Sequence, residues 1–419
     1  MLIPCALLLL TVCSSWQQPG SSPSPSDQGE GLELFWRNGL HMETASGDFQ
    51  GRLGAQVEWD FAWLSNDRQV QSAVRNLNGS SLNDGVGSRR TRLELDAHLF
   101  QQFELVASFD FATGATGFAD LYFAFPGGAS EDQGENGVNW RLGRMREPIG
   151  LDNLAPESDT RFMEQATLHS LQPGRGTGLM AHGLAGGRIA WAVGLFRDGS
   201  NGQGAAFNDA DWSATGRVAG APVLEEDEIL HVGFGWSHRN LQGDRARYAS
   251  QGQSSIAPVL ADTGWFSTLG VDLAQLECAY QLGPWTLQGE FLIAQHDRKF
   301  HEDAEMDGYT LETGFFLTPH RRPYHLASAT FLRPRPNQGG WPPVDIEGSN
   351  ALGAVELKAR YSSVDLGDGR VQGGGLNIAS LGLNGYFSPV HWAAIEASSV
   401  QVEGAGRFEV LQMRLGFQF

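Results

Sequence analysis

Apolar and polar side chains alternate along most of this chain with a period of two residues. Near the C-terminus, Leu411, Leu415 and Phe417 share one parity, while Gln412 and Arg414 share the other. A β-strand with one apolar and one wet face alternates in this way, because successive side chains point to opposite faces. The pattern recurs about sixteen times, and no long amphipathic helix interrupts it. It predicts an all-β fold: a transmembrane antiparallel β-barrel of about sixteen strands with a polar interior.

Most of the predicted strands are close to the length of about nine to eleven residues that crosses a bilayer at a tilt. They comprise residues 49–63, 89–100, 103–112, 118–125, 139–146, 177–185, 188–197, 212–220, 229–238, 271–282, 285–295, 308–318, 353–361, 377–387, 391–401 and 408–419.

The connections between these strands alternate in length. Short turns are predicted at 101–102, 186–187, 283–284 and 388–390, and long segments at 64–88, 147–176, 239–270 and 362–376. Short turns at one rim and long loops at the other are typical of outer-membrane barrels. Two connections, 126–138 and 319–352, are longer than this alternation predicts.

The polar parity carries full charges in strand after strand, among them Arg52, Arg90, Arg92, Arg141 and Arg414 together with many carboxylates. A soluble β-sandwich would have to bury these charges in a dry core, which is costly, so a water-filled lumen is favoured. The selectivity of such a pore depends on the charges at its narrowest point, and parity alone does not locate that point.

The segment 147–176 is the candidate for a loop that folds inward and constricts the pore. It is punctuated by proline and glycine and carries Arg161, Met163 and Arg175. A loop in this position would bring Arg161 to the narrow part of the channel, where it could attract anions. An exposed surface loop is the alternative interpretation.

The N-terminus carries an apolar stretch from Leu2 to Val12, which is too short to cross a bilayer as a helix. It resembles the hydrophobic region of an export signal. We therefore expect a signal peptide at 1–15, a leader and periplasmic N-terminal segment at 16–48, and the barrel domain at 49–419. Lipidation at Cys13 is an alternative. Once the signal is removed, Cys278 is the sole cysteine, so no disulfide within the chain is expected.

Composition and motifs narrow the classes of function. The net charge of −19 argues against a nucleic-acid partner. The sequence contains no nucleophile elbow, zinc-protease motif or phosphate-binding loop, so we expect no catalytic residue, no metal site and no cofactor. The segment 303–308 resembles half of a calcium loop but lacks the final glutamate, and a solvated loop is the favoured interpretation.

One basic cluster lies within the long connection 319–352. It comprises Arg321, Arg322, Arg333 and Arg335. These arginines belong either to a solvated, proline-stiffened loop or to a vestibule that attracts anions.

Several segments carry a family resemblance in the same order along the chain. They are Ser88–Leu95, Phe103–Phe111, Asp120–Tyr122, Leu142–Leu151, Arg161–Glu164, Trp191–Phe196, Leu317–Tyr324, Gly353–Ser362, Leu381–Tyr386 and the C-terminal strand. Together they resemble the phosphate-selective porin O and P family over nearly all of the chain that follows the leader. The stretch from Leu142 to Glu164 is the most distinctive part of the resemblance.

The resemblance implies a homotrimeric, sixteen-stranded porin that contacts lipid in the outer membrane of a Gram-negative-type envelope. In the phosphate-selective members, arginines and lysines draw the anion toward a narrow zone, because a planar guanidinium matches phosphate oxygens in pairs. The anion-binding residues expected from position, parity and the inward loop are Arg52, Arg89, Arg90, Arg92, Arg141, Arg144 and Arg161.

For three of these arginines, more than one position or role is consistent with the sequence. Arg89 falls on the lipid parity, so it must lie at a rim, in a bulge or in a twisted strand end. For Arg52 and Arg144, a salt bridge that shapes the barrel is the alternative to contact with a solute.

The expected function is passive diffusion of small anions, with phosphate or polyphosphate as candidates. No catalysis is implied. A general diffusion porin remains open, because the chain is acidic and shows no series of basic residues that would form an arginine ladder. An exported, soluble β-rich binding protein and a barrel enzyme are the alternatives from other classes.

Overall fold

The computed structural model describes residues 31–65, 67–112, 117–127, 137–197, 212–241, 244–299, 301–336 and 353–419. Within these residues the chain forms a closed antiparallel β-barrel. Its sixteen wall strands are β1 (Phe49–Leu64), β2 (Gly85–Leu99), β3 (Phe103–Asp110), β4 (Gly117–Pro126), β5 (Val138–Arg146), β6 (Arg175–Ala185), β7 (Ile189–Arg197), β8 (Trp212–Leu224), β9 (Glu228–Asn240), β10 (Gly270–Leu282), β11 (Trp285–Asp297), β12 (Ala304–Phe316), β13 (Ala354–Asp368), β14 (Val371–Tyr386), β15 (His391–Val402) and β16 (Gly406–Gln418).

The barrel closes because β16 pairs with β1. Val410 lies opposite Leu64, and Gln418 lies opposite Gln56. Closure gives the backbone groups at both ends of the sheet hydrogen-bond partners, which a lipid environment requires. The predicted barrel is confirmed, and every predicted strand overlaps one strand of the wall.

The two faces of the wall have opposite polarity. On the outer face, Leu276, Leu311 and Leu381 each expose more than half of their surface, whereas the inward Gln275 and Glu312 beside them are buried. An apolar outside and a polar inside are what a barrel in lipid requires. The predicted alternation between a lipid face and a lumenal face is therefore confirmed.

The two rims differ in the length of their connections. One rim, here called the lower rim, carries the short turns after β2, β6, β10 and β14, and it also holds the start of β1 and the end of β16. The upper rim carries the long segments after β1, β5 and β9. The long connection after β12 breaks this rule, as the sequence indicates, because it starts from the lower rim.

The predicted long loop at 362–376 is wrong. β13 and β14 continue to a two-residue turn that begins at Gly369, whose φ is +56°. The inward residues near this turn, such as Val364 and Leu366, are apolar and pack against loops in the upper lumen. In the lower parts of these strands the inward side chains are polar, and this alternation makes the strands recognisable in the sequence. Near the turn the inward side chains are apolar, so the alternation is lost. The segment 303–308, expected as a solvated loop, also lies mostly in a strand, because β12 begins at Ala304.

A short hairpin precedes the wall. Its strands, Leu32–Trp36 and Leu40–Thr44, pair with each other, and the second pairs with the start of β1. The Trp36 ring lies 5.2 Å from the ring of Phe419. The hairpin thus extends the wall below the C-terminus, within the region that the sequence pattern assigns to a periplasmic segment. The expected signal peptide, 1–15, and Cys13 lie outside the described residues.

Two upper segments cover part of the lumen. Helix α1 (Arg68–Asn78) follows β1, and Asp67 caps its first turn by accepting hydrogen bonds from two backbone N–H groups. Its Val70 joins an apolar cluster with Leu260 of the upper loop, residues 244–268. No helix in the described part of the chain is long and apolar enough to cross a membrane.

Candidate functional site

The inward loop, residues 147–174, leaves the upper end of β5, enters the lumen and returns to β6. Its Ile149, Asp159 and Phe162 are buried. The N–H of Leu151 donates to Oε1 of Glu290 on β11 at 2.6 Å. The prediction that the segment folds inward is confirmed, and the alternative of an exposed surface loop is wrong.

Arg161 anchors the inward loop to the wall. Its Nη1 lies 3.0 Å from Oε1 of Glu312, and its Nε lies 3.0 Å from Oε1 of Glu356. Its carbonyl oxygen accepts a hydrogen bond from Nζ of Lys358 at 2.9 Å. Arg161 is 3% exposed and lines neither of the two large cavities described below. The structure therefore places it as a link between loop and wall.

The next residues of the inward loop meet the barrel seam. Glu164 accepts from Nε and Nη2 of Arg89 at 2.6 and 2.9 Å, and from Nη2 of Arg414 at 2.6 Å. Burial alone would raise the pKa of Glu164, but Arg89 and Arg414 outweigh burial and hold this pKa far below its usual value. Glu164 is therefore a carboxylate that fixes the loop at any physiological pH.

A β-bulge explains how Arg89 reaches the lumen. Glu58 pairs with Arg90 and the next residue, Trp59, pairs with Ser88, so Arg89 is the extra residue. A bulge lets two successive side chains turn toward the same side of the sheet. Of the three positions that the sequence leaves open for Arg89, the structure shows the bulge.

Asp152 lies in the short helix α2 (Leu151–Leu154) at the bottom of the inward loop. Burial, followed by the nearby charge of Glu312, raises the pKa of Asp152 to about 6. The pKa of this carboxyl group is therefore closer to neutral pH than that of an ordinary aspartate.

A second insert enters the lumen from the lower rim. This lower insert, residues 317–336, places Arg322 against Glu356, with Nη2 2.9 Å from Oε2, and against the carbonyl oxygen of Asp159 at 2.8 Å. Arg333 lies with Cζ 4.0 Å from the ring centroid of Trp392. The two inserts thus meet inside the barrel.

The interpretation of the basic cluster as a solvated loop is wrong for two of its four arginines. Arg322 and Arg333 are each 2% exposed. Arg321 pairs at the lower rim with Asp227, and Arg335 lines the upper cavity 3.4 Å from Asp159. The parity rule cannot show this, because the connection leaves the wall and turns back into the lumen.

The inserts leave an off-centre passage beside β1 to β8. The upper cavity has a volume of about 490 Å³ and lies between these strands, the inward loop and the lower insert. The lower cavity has a volume of about 580 Å³ and opens at the lower rim. Arg141 and His182 line both cavities, so these two side chains lie between them.

Arg141 has no carboxylate partner in the described part of the chain. Its Cζ lies 5.1 Å from the ring centroid of Tyr122, and its buried Nε has no hydrogen-bond partner there. The other arginines that line the upper cavity each form an ion pair: Arg92, Arg146, Arg175, Arg217 and Arg335. Among the arginines that line the upper cavity, Arg141 is therefore the one whose charge is balanced by no ion pair within the described residues.

Glu157 of the inward loop is surrounded by four arginines of the wall, here called the guanidinium cage: Arg90, Arg92, Arg146 and Arg175. Burial alone would raise the pKa of Glu157, but these guanidinium groups outweigh it and hold the pKa well below its usual value. Arg146, Arg175 and Glu157 are absent from the expected site. Arg146 is difficult to predict because it turns inward where β5 ends.

Two of the expected anion-binding residues, Arg52 and Arg144, line neither cavity. Arg52 pairs with Asp96 at 3.2 Å, and both side chains are about one-third exposed. Arg144 lies on the outer parity of β5, and its Nε donates to the carbonyl oxygen of Phe118 at 3.2 Å. Arg89, Arg90 and Arg161 also line neither large cavity, so only Arg92 and Arg141 of the expected set do.

No cluster of three or more His, Cys, Asp or Glu side chains among the described residues is arranged to hold a metal ion.

A family model for phosphate-selective porin O and P matches residues 52–419. An anion-selective porin from Comamonas acidovorans superposes with a TM-score of 0.53 at 13% identity, over 88% of this chain and 100% of that one. The trimer form of OmpT, an outer-membrane protein of Vibrio cholerae, superposes with a TM-score of 0.54 at 10% identity, over 88% of this chain and 99% of that one. The outer-membrane channel DcaP of Acinetobacter baumannii superposes with a TM-score of 0.51 at 11% identity, over 90% of this chain and 99% of that one. A comparison with curated protein sequences finds no match.

Proposed function

Because the chain belongs to the phosphate-selective porin O and P family of outer-membrane porins, we propose that small anions, phosphate among them, diffuse passively through its two cavities. The upper cavity is lined by charged side chains together with apolar ones such as Val106, Met145 and Leu154. The proposal involves no catalytic step.

The observation that carries this proposal is the position of Arg141. Its guanidinium lies between the two cavities and has no carboxylate partner among the described residues. A solute that moves from one cavity to the other would pass this side chain, and pore selectivity follows the charges along the path of the solute rather than the charge of the whole chain. A net charge of −19 therefore does not conflict with anion transport.

The charges around the upper cavity also favour anions over cations. Six arginines and four carboxylates line it, which leaves an excess of two positive charges. The carboxylates are Glu94, Asp96, Asp120 and Glu157.

Reversal potentials in planar bilayers, measured across a potassium chloride gradient, test the proposal. We expect wild type to favour chloride over potassium. Removing a unit charge about 4 Å from the ion path in water is worth about 1 kcal/mol, so Arg141→Ala should lower the anion-to-cation permeability ratio by roughly fivefold.

Arg144→Ala is the matched control, because it removes the same charge from the same strand on the outer face. It should leave the permeability ratio close to wild type. A wild-type preference for potassium, or equal ratios in wild type and Arg141→Ala, would overturn the proposed role of Arg141.

A preference for phosphate over other anions is the finer part of the proposal. It is supported by the family and by the match between a guanidinium and pairs of phosphate oxygens. Replacing chloride by phosphate on one side of the bilayer measures it. A shift toward the phosphate equilibrium potential supports the preference, whereas permeability that merely follows ion size supports a general diffusion porin.

The proposed assembly is a homotrimer. It is supported by the porin fold and by the trimer form of the structurally similar outer-membrane protein from Vibrio cholerae. Chemical cross-linking in mild detergent, followed by electrophoresis of unheated samples, tests it. A ladder that stops at three copies supports the trimer, and a monomer band alone contradicts it.

A further inference from the structure

We infer that the guanidinium cage is a binding site for small oxyanions, and that Glu157 occupies it as a tethered competitor. The inference rests on the proposed anion passage and names a site and a specificity-determining residue within it.

The contacts of Glu157 are those of a bound oxyanion. Its Oε2 accepts from Nε of Arg90 at 2.8 Å and from Nη2 of Arg92 at 2.9 Å. Its Oε1 accepts from Nη1 of Arg175 at 3.2 Å and from Nη2 of Arg146. Each carboxylate oxygen thus receives two charge-assisted hydrogen bonds, each from a different guanidinium group, and carboxylate and phosphate oxygens are the acceptors that guanidinium groups favour.

The site and its occupant come from different parts of the fold. Arg90 and Arg92 lie on β2, Arg146 ends β5, and Arg175 begins β6. All four donors therefore belong to the barrel wall, whereas Glu157 belongs to the inward loop. If the carboxylate is removed, the wall still presents the four guanidinium groups.

The charges around the cage balance only when Glu157 is present. Glu58 pairs with Arg90 at 2.5 Å, Asp110 with Arg92 at 3.1 Å, and Asp120 with Arg175 at 3.0 Å. These three carboxylates face four guanidinium groups, so Glu157 supplies the fourth negative charge. Without it, the cage holds one positive charge in excess and would attract an anion.

The cage is reachable from the proposed passage. Glu157, Arg92, Arg146 and Arg175 all line the upper cavity. A tethered group competes at an effective concentration on the order of millimolar or higher. Glu157 therefore lowers the occupancy of the cage by free anions, which would otherwise bind there and slow the flow.

Single-channel currents in potassium chloride, recorded while inorganic phosphate is added, test the inference. Glu157→Ala should be blocked by phosphate at a concentration at least about tenfold lower than wild type, because the tethered competitor is gone. Glu157→Gln keeps the shape of the side chain without its charge and should change in the same direction. Acetate, which resembles the missing carboxylate, should also block Glu157→Ala more strongly than wild type.

Glu94→Gln is the matched control, because Glu94 lines the same cavity and, although its charge acts on Arg92 at longer range, it forms no ion pair with a cage arginine among the described residues. Its half-blocking phosphate concentration should stay within about twofold of wild type. Equal block of wild type and both Glu157 variants would overturn the inference, and so would an equal gain in Glu94→Gln. Heat-modifiable electrophoretic mobility shows that each variant is folded.

This result is separable from the proposed function. The direction of wild-type selectivity is read from reversal potentials, whereas the cage is read from the difference in phosphate block between variants. A potassium-selective wild type would refute the proposed function, and the comparison of variants would still decide whether the cage binds oxyanions.

Discussion

Arg414 of β16 and Asp60 of β1 form a two-pronged ion pair across the barrel seam. Nε lies 2.7 Å from Oδ1, and Nη2 lies 2.8 Å from Oδ2. The two residues are direct register partners. The same guanidinium lies 2.6 Å from Oε1 of Glu164 in the inward loop. One side chain therefore connects closure of the wall to placement of the loop.

Arg414→Ala should weaken the folded barrel substantially. Removing one partner of a buried ion pair costs about 3–5 kcal/mol, because the remaining carboxylates lose their counter-charge. The temperature at which the protein loses its heat-modifiable electrophoretic mobility should therefore fall. Arg52→Ala, which breaks a partly exposed pair worth at most about 1 kcal/mol, is the control. Equal transition temperatures for the two variants would contradict this role of Arg414.

Gly314→Ala should displace the inward loop without opening the wall. A Cβ at Gly314 would lie 2.5 Å from Oε1 of Glu356 and 2.7 Å from Nε of Arg161, so the anchoring ion pair would have to shift. We expect a larger single-channel conductance and more frequent current fluctuations, because the loop then narrows the lumen less firmly.

Gly289→Ala is the control for this substitution. A Cβ there would meet its nearest atoms at 3.4 and 3.5 Å, which are ordinary contacts, so conductance should stay at the wild-type level. If both variants conduct like wild type, the packing at Gly314 does not hold the loop in place.

Asp152 should make the inward loop sensitive to pH. Burial and Glu312 raise the pKa of Asp152 to about 6 from an ordinary value of 3.8. A raised acid pKa favours the protonated form in the folded state, so the loop is most stable below the ordinary pKa. Its stability falls as the pH rises toward the folded pKa and stays constant above it.

The frequency of current fluctuations at two pH values checks this prediction. In wild type it should be higher at about pH 7.5 than at about pH 4.5, and in Asp152→Asn this difference should be smaller. Glu157 and Glu164 have lowered pKa values and stay ionised throughout this range. A pH dependence as large in Asp152→Asn as in wild type would assign the effect to another group, such as His169, whose pKa burial lowers to about 4.

The wall can be predicted from sequence because its signal is local. A period of two residues is visible within each strand. Closure follows because the edge strands of an open sheet would leave backbone groups unpaired in lipid. The pattern fails where the surroundings of the inward face change. Near Val364 and Leu366 that face meets apolar loops instead of water, so the ends of β13 and β14 are predicted as a loop.

The interior is harder to predict, because parity shows which way a side chain points but not which charge it meets. Arg92 faces the lumen as expected, yet its partner Glu157 is 65 residues away on a segment that folds back. Inward glycines are a signal that could help. A Cβ at Gly308 would lie 2.8 Å from Cβ of Leu168, and one at Gly235 would lie 2.7 Å from Cγ1 of Ile149. Each of these glycines leaves room for the inward loop.

The two inserts change what sixteen strands mean for transport. The inserts contact β11, β12, β13 and β16 through Glu290, Glu312, Glu356 and Arg414, and the inward loop also contacts β2, β5 and β6 at the guanidinium cage. The two cavities are lined mainly by β1 to β8. The number of strands therefore sets the diameter of the barrel, whereas the inserts set the width of the pore. A longer or shorter insert would change which solutes enter, while the pairing of all wall strands stayed the same.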